Sequence, residues 1–274
     1  MASIVGQPLV AYVLGMCMLA IIFRAIDDCP VLVAANREEF YDRQGTAPDL
    51  WEGKPAIVAG RDPRAGGTWL GVNQHGVLVA ITNRRARTQN SELRSRGLLC
   101  RDLLAFRTAR EAHERSLAEL SSRGYAGCNL LVIDAAGAYV VQAGELLRSC
   151  PMPPGIHVLT SHDVNDVADD RTARSLGWLN SCHCRSIDDW VHELPRLCRD
   201  HGGPADPPIC LHSQERGTVS SSIVALPERL DHARWLHAQG PPCTSPLVDC
   251  SHLLRELFAF DGSVLDVRQP AGRP

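Results

Sequence analysis

The chain is built from short apolar runs, each four to eight residues long and each cut off by a polar cluster. Met16 to Phe23 is one such run, and Val31 to Ala35 is a second that ends on Asn36-Arg37-Glu38-Glu39. Runs of this length, bounded by turn residues, read as buried strands and are too short for core helices. Ala56 to Ala59 is a short strand before Gly60-Arg61-Asp62. Thr68 to Val72 and Val77 to Thr82 flank the turn Asn73-Gln74-His75-Gly76, and Asn129 to Asp134 and Ala138 to Ala143 flank Ala135-Ala136-Gly137. Both pairs have the form of β-hairpins. Ile209 to His212 and Ser220 to Leu226 read as the last pair of strands. Helical periodicity covers Ser95 to Ser121, Asp169 to Asn180 and Ile187 to His201. Hairpins separated by helical blocks imply an α+β layered fold rather than the alternating βαβ of a parallel sheet.

Charge narrows the function classes. The 28 basic and 31 acidic residues leave a net charge of −3, with no basic excess to neutralise a nucleic-acid backbone. Lys54 is the only lysine, so any anion clamp must be arginine. The 11 cysteines are odd in number and follow no framework spacing, the pattern of a reduced, cytoplasmic protein. Met1 to Phe23 is uncharged and long enough to span a bilayer, but Gly6, Pro8 and Gly15 weaken a spanning helix and no positive segment precedes it. Residues 1–15 are therefore expected to be an extension, 16–262 a single domain and 263–274 a frayed tail. Membrane association is expected only if residues 1–23 act as an anchor.

Chemistry-bearing residues gather at strand ends, where side chains are held rigidly. They are Cys17 at the start of the first strand, Arg37 and Glu38 at the end of the second, Asn83 after the hairpin return strand, and Asn129 at the start of a third. Cys182-His183-Cys184, Cys198 with His201, and Cys210 with His212 are metal-ligand types, but their spacings are not those of paired zinc loops, so no metal and no cofactor is expected. Ser161-His162-Asp163 cannot be a triad, because adjacent side chains diverge. Asp163 to Asp170 suits helix capping better.

Met16-Cys17, Asn36-Arg37-Glu38-Glu39-Phe40, Trp51, Gly60-Arg61-Asp62, Gly66-Gly67-Thr68-Trp69-Leu70-Gly71-Val72, Thr82-Asn83, Gly127-Cys128-Asn129 and Gly217-Thr218-Val219-Ser220-Ser221 together resemble the NRDE family, also called the transport and Golgi organisation family. That family resembles N-terminal-nucleophile hydrolases of the choloylglycine hydrolase and penicillin V acylase group. The resemblance implies a four-layer αββα sandwich with a mature N-terminal cysteine on the first strand. It also implies roles: Cys17 as nucleophile, Arg37 stabilising its thiolate, Glu38 or Glu39 orienting its amine, and Asn83 and Asn129 donating to an oxyanion. Two departures stand out. Family members usually have Asp at the position of Glu38, and many have Arg at that of Val219.

The chemistry requires Cys17 to be the first residue, because its own α-amine, with a reference pKa of about 7.7–8.0, is the general base. Translation from Met16 with removal of methionine achieves this; translation from Met1 requires cleavage between Met16 and Cys17. Two functions remain open: an amidohydrolase acting on a small-molecule amide, and a non-enzymatic carrier of a hydrophobic ligand, a lipid or haem, in intracellular trafficking.

Overall fold

The computed structural model describes residues 17–84, 93–122, 124–204 and 206–259. The expected extension 1–15, the tail 263–274 and the ends of the expected 16–262 domain lie outside these residues. The first strands are β1 (Met18–Phe23), β2 (Val31–Phe40), β3 (Asp49–Trp51), β4 (Ile57–Ala59), β5 (Leu70–Asn73) and β6 (Leu78–Asn83). Helices α1 (Arg96–Leu103) and α2 (Ala109–Ser122) follow, then β7 (Cys128–Ile133), β8 (Ala138–Ala143), β9 (Leu147–Pro151) and β10 (Gly155–Leu159). Helices α3 (Asp170–Ser181) and α4 (Ile187–Cys198) precede β11 (Arg216–Leu226), β12 (Arg234–Ala238), β13 (Val248–Asp249) and α5 (Ser251–Ala259).

The strands form two antiparallel sheets, in the orders β10-β1-β2-β11-β12-β13 and β3-β4-β5-β6-β7-β8-β9. Alternation along each strand creates the layers. On β1 and β2, Leu19, Ile21, Val33 and Ala35 face the opposite sheet, where they meet Val72, Leu78, Ala80 and Leu131. The intervening Met18, Ala20, Leu32 and Ala34 face α3 and α4. Val79, Ile81 and Leu130 of the second sheet likewise face α1 and α2. The result is the expected αββα sandwich. Burial of both sheet faces explains why the strands read as continuous apolar runs. Leu254 and Leu257 of α5 pack into the layer between the sheets.

Four expectations are corrected. The helix expected over 95–121 is two helices, because the Asn73 amide donates to the carbonyls of Leu104 (2.9 Å) and Phe106 (2.7 Å), and the Asp134 carboxylate accepts from the Ala109 N–H at 2.7 Å. These partners cap a helix end and a helix start that periodicity alone runs together. The helix expected to reach His201 ends at Cys198. The strand expected over 209–212 is a strap with one bridge, His212 to Gly217, because side chains take its carbonyl: Ile209 O accepts from Asn36 at 3.2 Å and from Arg171 at 2.7 Å. Strands also continue past Leu226, as β12 and β13.

Candidate active site

At one end of the sandwich a cavity of about 280 Å³ is lined by Cys17, Arg37, Asn83 and Ser220 from the two sheets, and by Ser95, Arg96 and Gly97 at the start of α1. Cys17 immediately precedes β1. The register pairs Met18 with Asn36, so Cys17, one residue earlier, lies beside the Arg37–Glu38 end of β2. Its thiol is 3.9 Å from the Glu38 carbonyl. Burial, with the nearby Glu38 carboxylate adding to it, pushes the Cys17 pKa up to about 12, against an opposing pull from Arg37. With Met16 still attached the thiol is therefore protonated at neutral pH.

The tetrapeptide Asn36-Arg37-Glu38-Glu39 splits by strand alternation. Arg37 and Glu39 share the face of Val33 and Ala35, toward the cavity. The Arg37 guanidinium donates to the Arg43 carbonyl at 3.3 Å and lies 3.8 Å from Glu39. Glu39 in turn lies 3.4 Å from Arg43, which pairs with Asp62 at 2.8 Å. Hydrogen bonding to Arg43 holds the Asp62 carboxyl below its ordinary value despite partial burial.

Asn36 and Glu38 share the face of Leu32 and Ala34, toward the helices. Asn36 donates to the carbonyls of Cys198 (2.8 Å) and Ile209. The Glu38 Oε1 accepts from Arg171 of α3 at 2.8 Å and from the Thr218 hydroxyl at 3.3 Å, while Oε2 has no hydrogen-bond partner among the described residues. Burial pushes the Glu38 pKa up to about 7, against the pull of Arg171.

Of the residues singled out in the sequence, Cys17, Arg37, Glu38 and Asn83 line this cavity, and Glu38 aims its carboxylate at Arg171. Asn129 does not line it. Its amide donates to the carbonyls of Thr160 (2.9 Å) and His162 (2.8 Å), and its oxygen accepts from Arg84. Sequence reasoning missed Arg43, Asp62, Trp69, Arg94 and Arg96 as wall residues. The Gly60-Arg61-Asp62 and Gly66-to-Val72 motifs were the available signal for Asp62 and Trp69. Arg61 stacks on Trp51, 3.9 Å from the ring centroid, and Arg96 donates to the Gly127 carbonyl at 2.7 Å. Among the described residues, neither has a carboxylate partner.

A family model described as Transport and Golgi organisation 2 matches residues 16–221, from the site cysteine's neighbour to β11. The chain belongs to that family. The mouse Transport and Golgi organization 2 homolog is 35% identical over 128 residues, 42% of this chain and 45% of its own length. The human homolog is 34% identical over 132 residues, 44% of this chain and 47% of its own. The chain thus spans about half the length of the curated relatives it matches. Among solved structures, penicillin V acylase from Agrobacterium tumefaciens superposes with a TM-score of 0.55 at 13% identity, over 86% of this chain and 87% of that one. A variant of the conjugated bile acid hydrolase from Clostridium perfringens gives 0.55 at 14%, over 87% and 94%. The Caenorhabditis elegans ortholog of N-acylethanolamine-hydrolyzing acid amidase gives 0.52 at 14%, over 76% and 92%. This Transport and Golgi organisation 2 family member therefore has the fold of N-terminal-nucleophile hydrolases. Among the described residues, no helix is long and apolar enough to cross a membrane.

Proposed function

We propose that the protein is an N-terminal-nucleophile cysteine amidohydrolase acting on a small amide. The observation that carries the reading is Cys17, immediately before β1, sharing with Arg37 the wall of a cavity large enough for a small ligand. A penicillin V acylase, a conjugated bile acid hydrolase and an acid amidase among the solved neighbours support the reaction class. Once Cys17 is the first residue, its α-amine takes the thiol proton, and Arg37 with the new ammonium stabilises the thiolate. The sulfur attacks the amide carbonyl, the C–N bond breaks, and the amine leaves with the proton. Water then hydrolyses the thioester to release the acid. Asn83, on the cavity wall, is the side chain available to donate to the oxyanion. Asn129 acts as a positioning residue, since its amide protons are already given to Thr160 and His162. Glu39 lies 3.8 Å from Arg37 and helps hold it on the cavity wall, while Glu38 pairs with Arg171.

Arg61 and Arg96 on the wall favour an anionic group on the substrate and suit a purely hydrophobic cargo poorly. The deciding experiment compares a chain whose mass spectrum shows free N-terminal Cys17 with one that retains Met16. N-acyl amides bearing a carboxylate serve as substrates, and iodoacetamide labelling at pH 7 provides a second readout. Turnover and fast labelling are expected only with free Cys17, and turnover is lost in Cys17→Ala with the circular dichroism spectrum unchanged. Absence of turnover with free Cys17, or equal turnover in Cys17→Ala, overturns the reading.

A further inference from the structure

Away from the helix-capped cavity, three chain segments bring together two cysteines and two histidines. His201 follows α4, Cys210 and His212 lie on the strap before β11, and Cys243 lies in the turn between β12 and β13. One ligand atom from each residue lies within 4.8 Å of every other. The sulfurs of Cys210 and Cys243 are 3.6 Å apart, and the His212 Nε2 is 3.6 Å from the first and 3.3 Å from the second. We propose that His201, Cys210, His212 and Cys243 form a structural binding site for a tetrahedral divalent ion of the zinc class.

The distances carry the argument. A tetrahedral zinc with Zn–S of about 2.3 Å and Zn–N of about 2.0–2.1 Å sets its ligand atoms about 3.8 Å (S to S) and about 3.5 Å (S to N) apart. The three edges among Cys210, His212 and Cys243 match that polyhedron. They do not match a disulfide, whose sulfurs are about 2.05 Å apart, and all 11 cysteines are free. Two thiolates and two imidazoles form the ligand set that selects zinc over hard cations. Four protein ligands close the coordination shell, which makes the site structural rather than catalytic. On binding, both thiols release their protons to solvent and coordinate as thiolates.

The backbone prepares the arrangement. The N–H groups of Ile209 and Cys210 both donate to the Asp200 carbonyl, at 2.9 and 2.8 Å, so the chain folds back to bring Cys210 toward His201. Leu211 and Thr218 exchange a further pair of bonds, which fixes His212 beside the start of β11. The Cys243 turn is closed by the Thr244 and Ser245 N–H groups donating to the Pro241 carbonyl. An ion here would tie the end of the α4 layer to two loops of the first sheet. The spacing in sequence hides this, because the ligands come from three segments and only Cys210 and His212 are near neighbours.

The test uses the full chain purified under reducing, chelator-free conditions. Elemental analysis is expected to return about one zinc per chain. Co(II) added after chelation is expected to give the thiolate charge-transfer and tetrahedral ligand-field absorption of an S2N2 site, and chelation is expected to lower Tm. The Cys210→Ser/Cys243→Ser double variant should lose the ion at least tenfold, while Cys182→Ser keeps it. If the double variant fails to fold, the Co(II) spectrum and chelation melt of the unaltered chain still decide. Three results would overturn the proposal: no Co(II) charge-transfer band from the reduced, folded chain, a Cys210–Cys243 disulfide under these conditions, or full zinc retention in the double variant.

Discussion

Glu38 sits one residue from Arg37 and does different work because strand alternation turns it the other way. It is buried, its Oε1 is bound by Arg171 and Thr218, and its Oε2 has no hydrogen-bond partner among the described residues. Burial outweighs the arginine and pushes its pKa from 4.5 up to about 7. The linkage follows from those two values. In the unfolded chain Glu38 ionises near 4.5, and in the folded chain only near 7, so the folded state binds more protons between them. Glu38 therefore contributes a stability that is full below the lower value and declines as pH rises through the higher one. Glu38→Gln keeps the hydrogen-bonding shape and removes the titration. Denaturant midpoints measured from pH 4 to 8 are expected to show a flatter decline in the variant than in the parent. Parallel profiles would show that Glu38 stays ionised beside Arg171 throughout.

At the scale of elements, one side chain sets where a helix stops. Asn73, fully buried in the β5–β6 hairpin, donates to Leu104 and Phe106 and accepts from the N–H groups of His75 and Val77. Asn73→Ala leaves several buried backbone groups unpaired, each costing about 1–3 kcal/mol when nothing replaces the bond. A loss of about 2–4 kcal/mol in urea denaturation is expected, with the m-value unchanged. A loss below 1 kcal/mol would show that water takes over the carbonyls. The same residue explains what the sequence made legible. Strands with both faces covered, such as β1, β2, β6 and β7, announce themselves as apolar runs. The break between α1 and α2 does not, since its cause lies some thirty residues away. β9 is mostly exposed and ends on Pro151, so it carries neither an apolar run nor alternation. In the site, Cys17, Arg37 and Asn83 were readable because strand ends converge on one edge of the sandwich. The role of Asn129 was not, because the Thr160–His162 carbonyls that claim its amide belong to another sheet's connection.

Across the whole molecule, the layers are bound by shared strands. β2 sends Val33 and Ala35 into the middle layer and Leu32 and Ala34 into the α3–α4 layer, so neither layer can melt without baring a face of the other's sheet. Side chains also tie the sheets together. Arg24, after β1, donates to Ala135 O and Ala136 O in the β7–β8 turn, and the Thr82 hydroxyl on β6 donates to Thr160 O, just after β10. Unfolding is therefore expected to be one cooperative event. Leu194 of α4 and Leu103 of α1, both at most 1% exposed, lie in opposite outer layers. Truncating either to alanine is expected to cost about 2–5 kcal/mol. Each variant should lower a single transition on which tryptophan fluorescence, helical circular dichroism and amide exchange in β2 and β6 coincide. Trp190 reports on the Leu194 layer, and Trp69 packs against both the middle layer and the Leu103 layer, so an independent melting of one layer would separate the probes. Such a separation in Leu103→Ala, with the Leu194 layer unmoved, would show that the arginine-lined cavity rests on a helical cover that opens by itself. Coincident transitions tie the cavity's integrity to that of the whole sandwich.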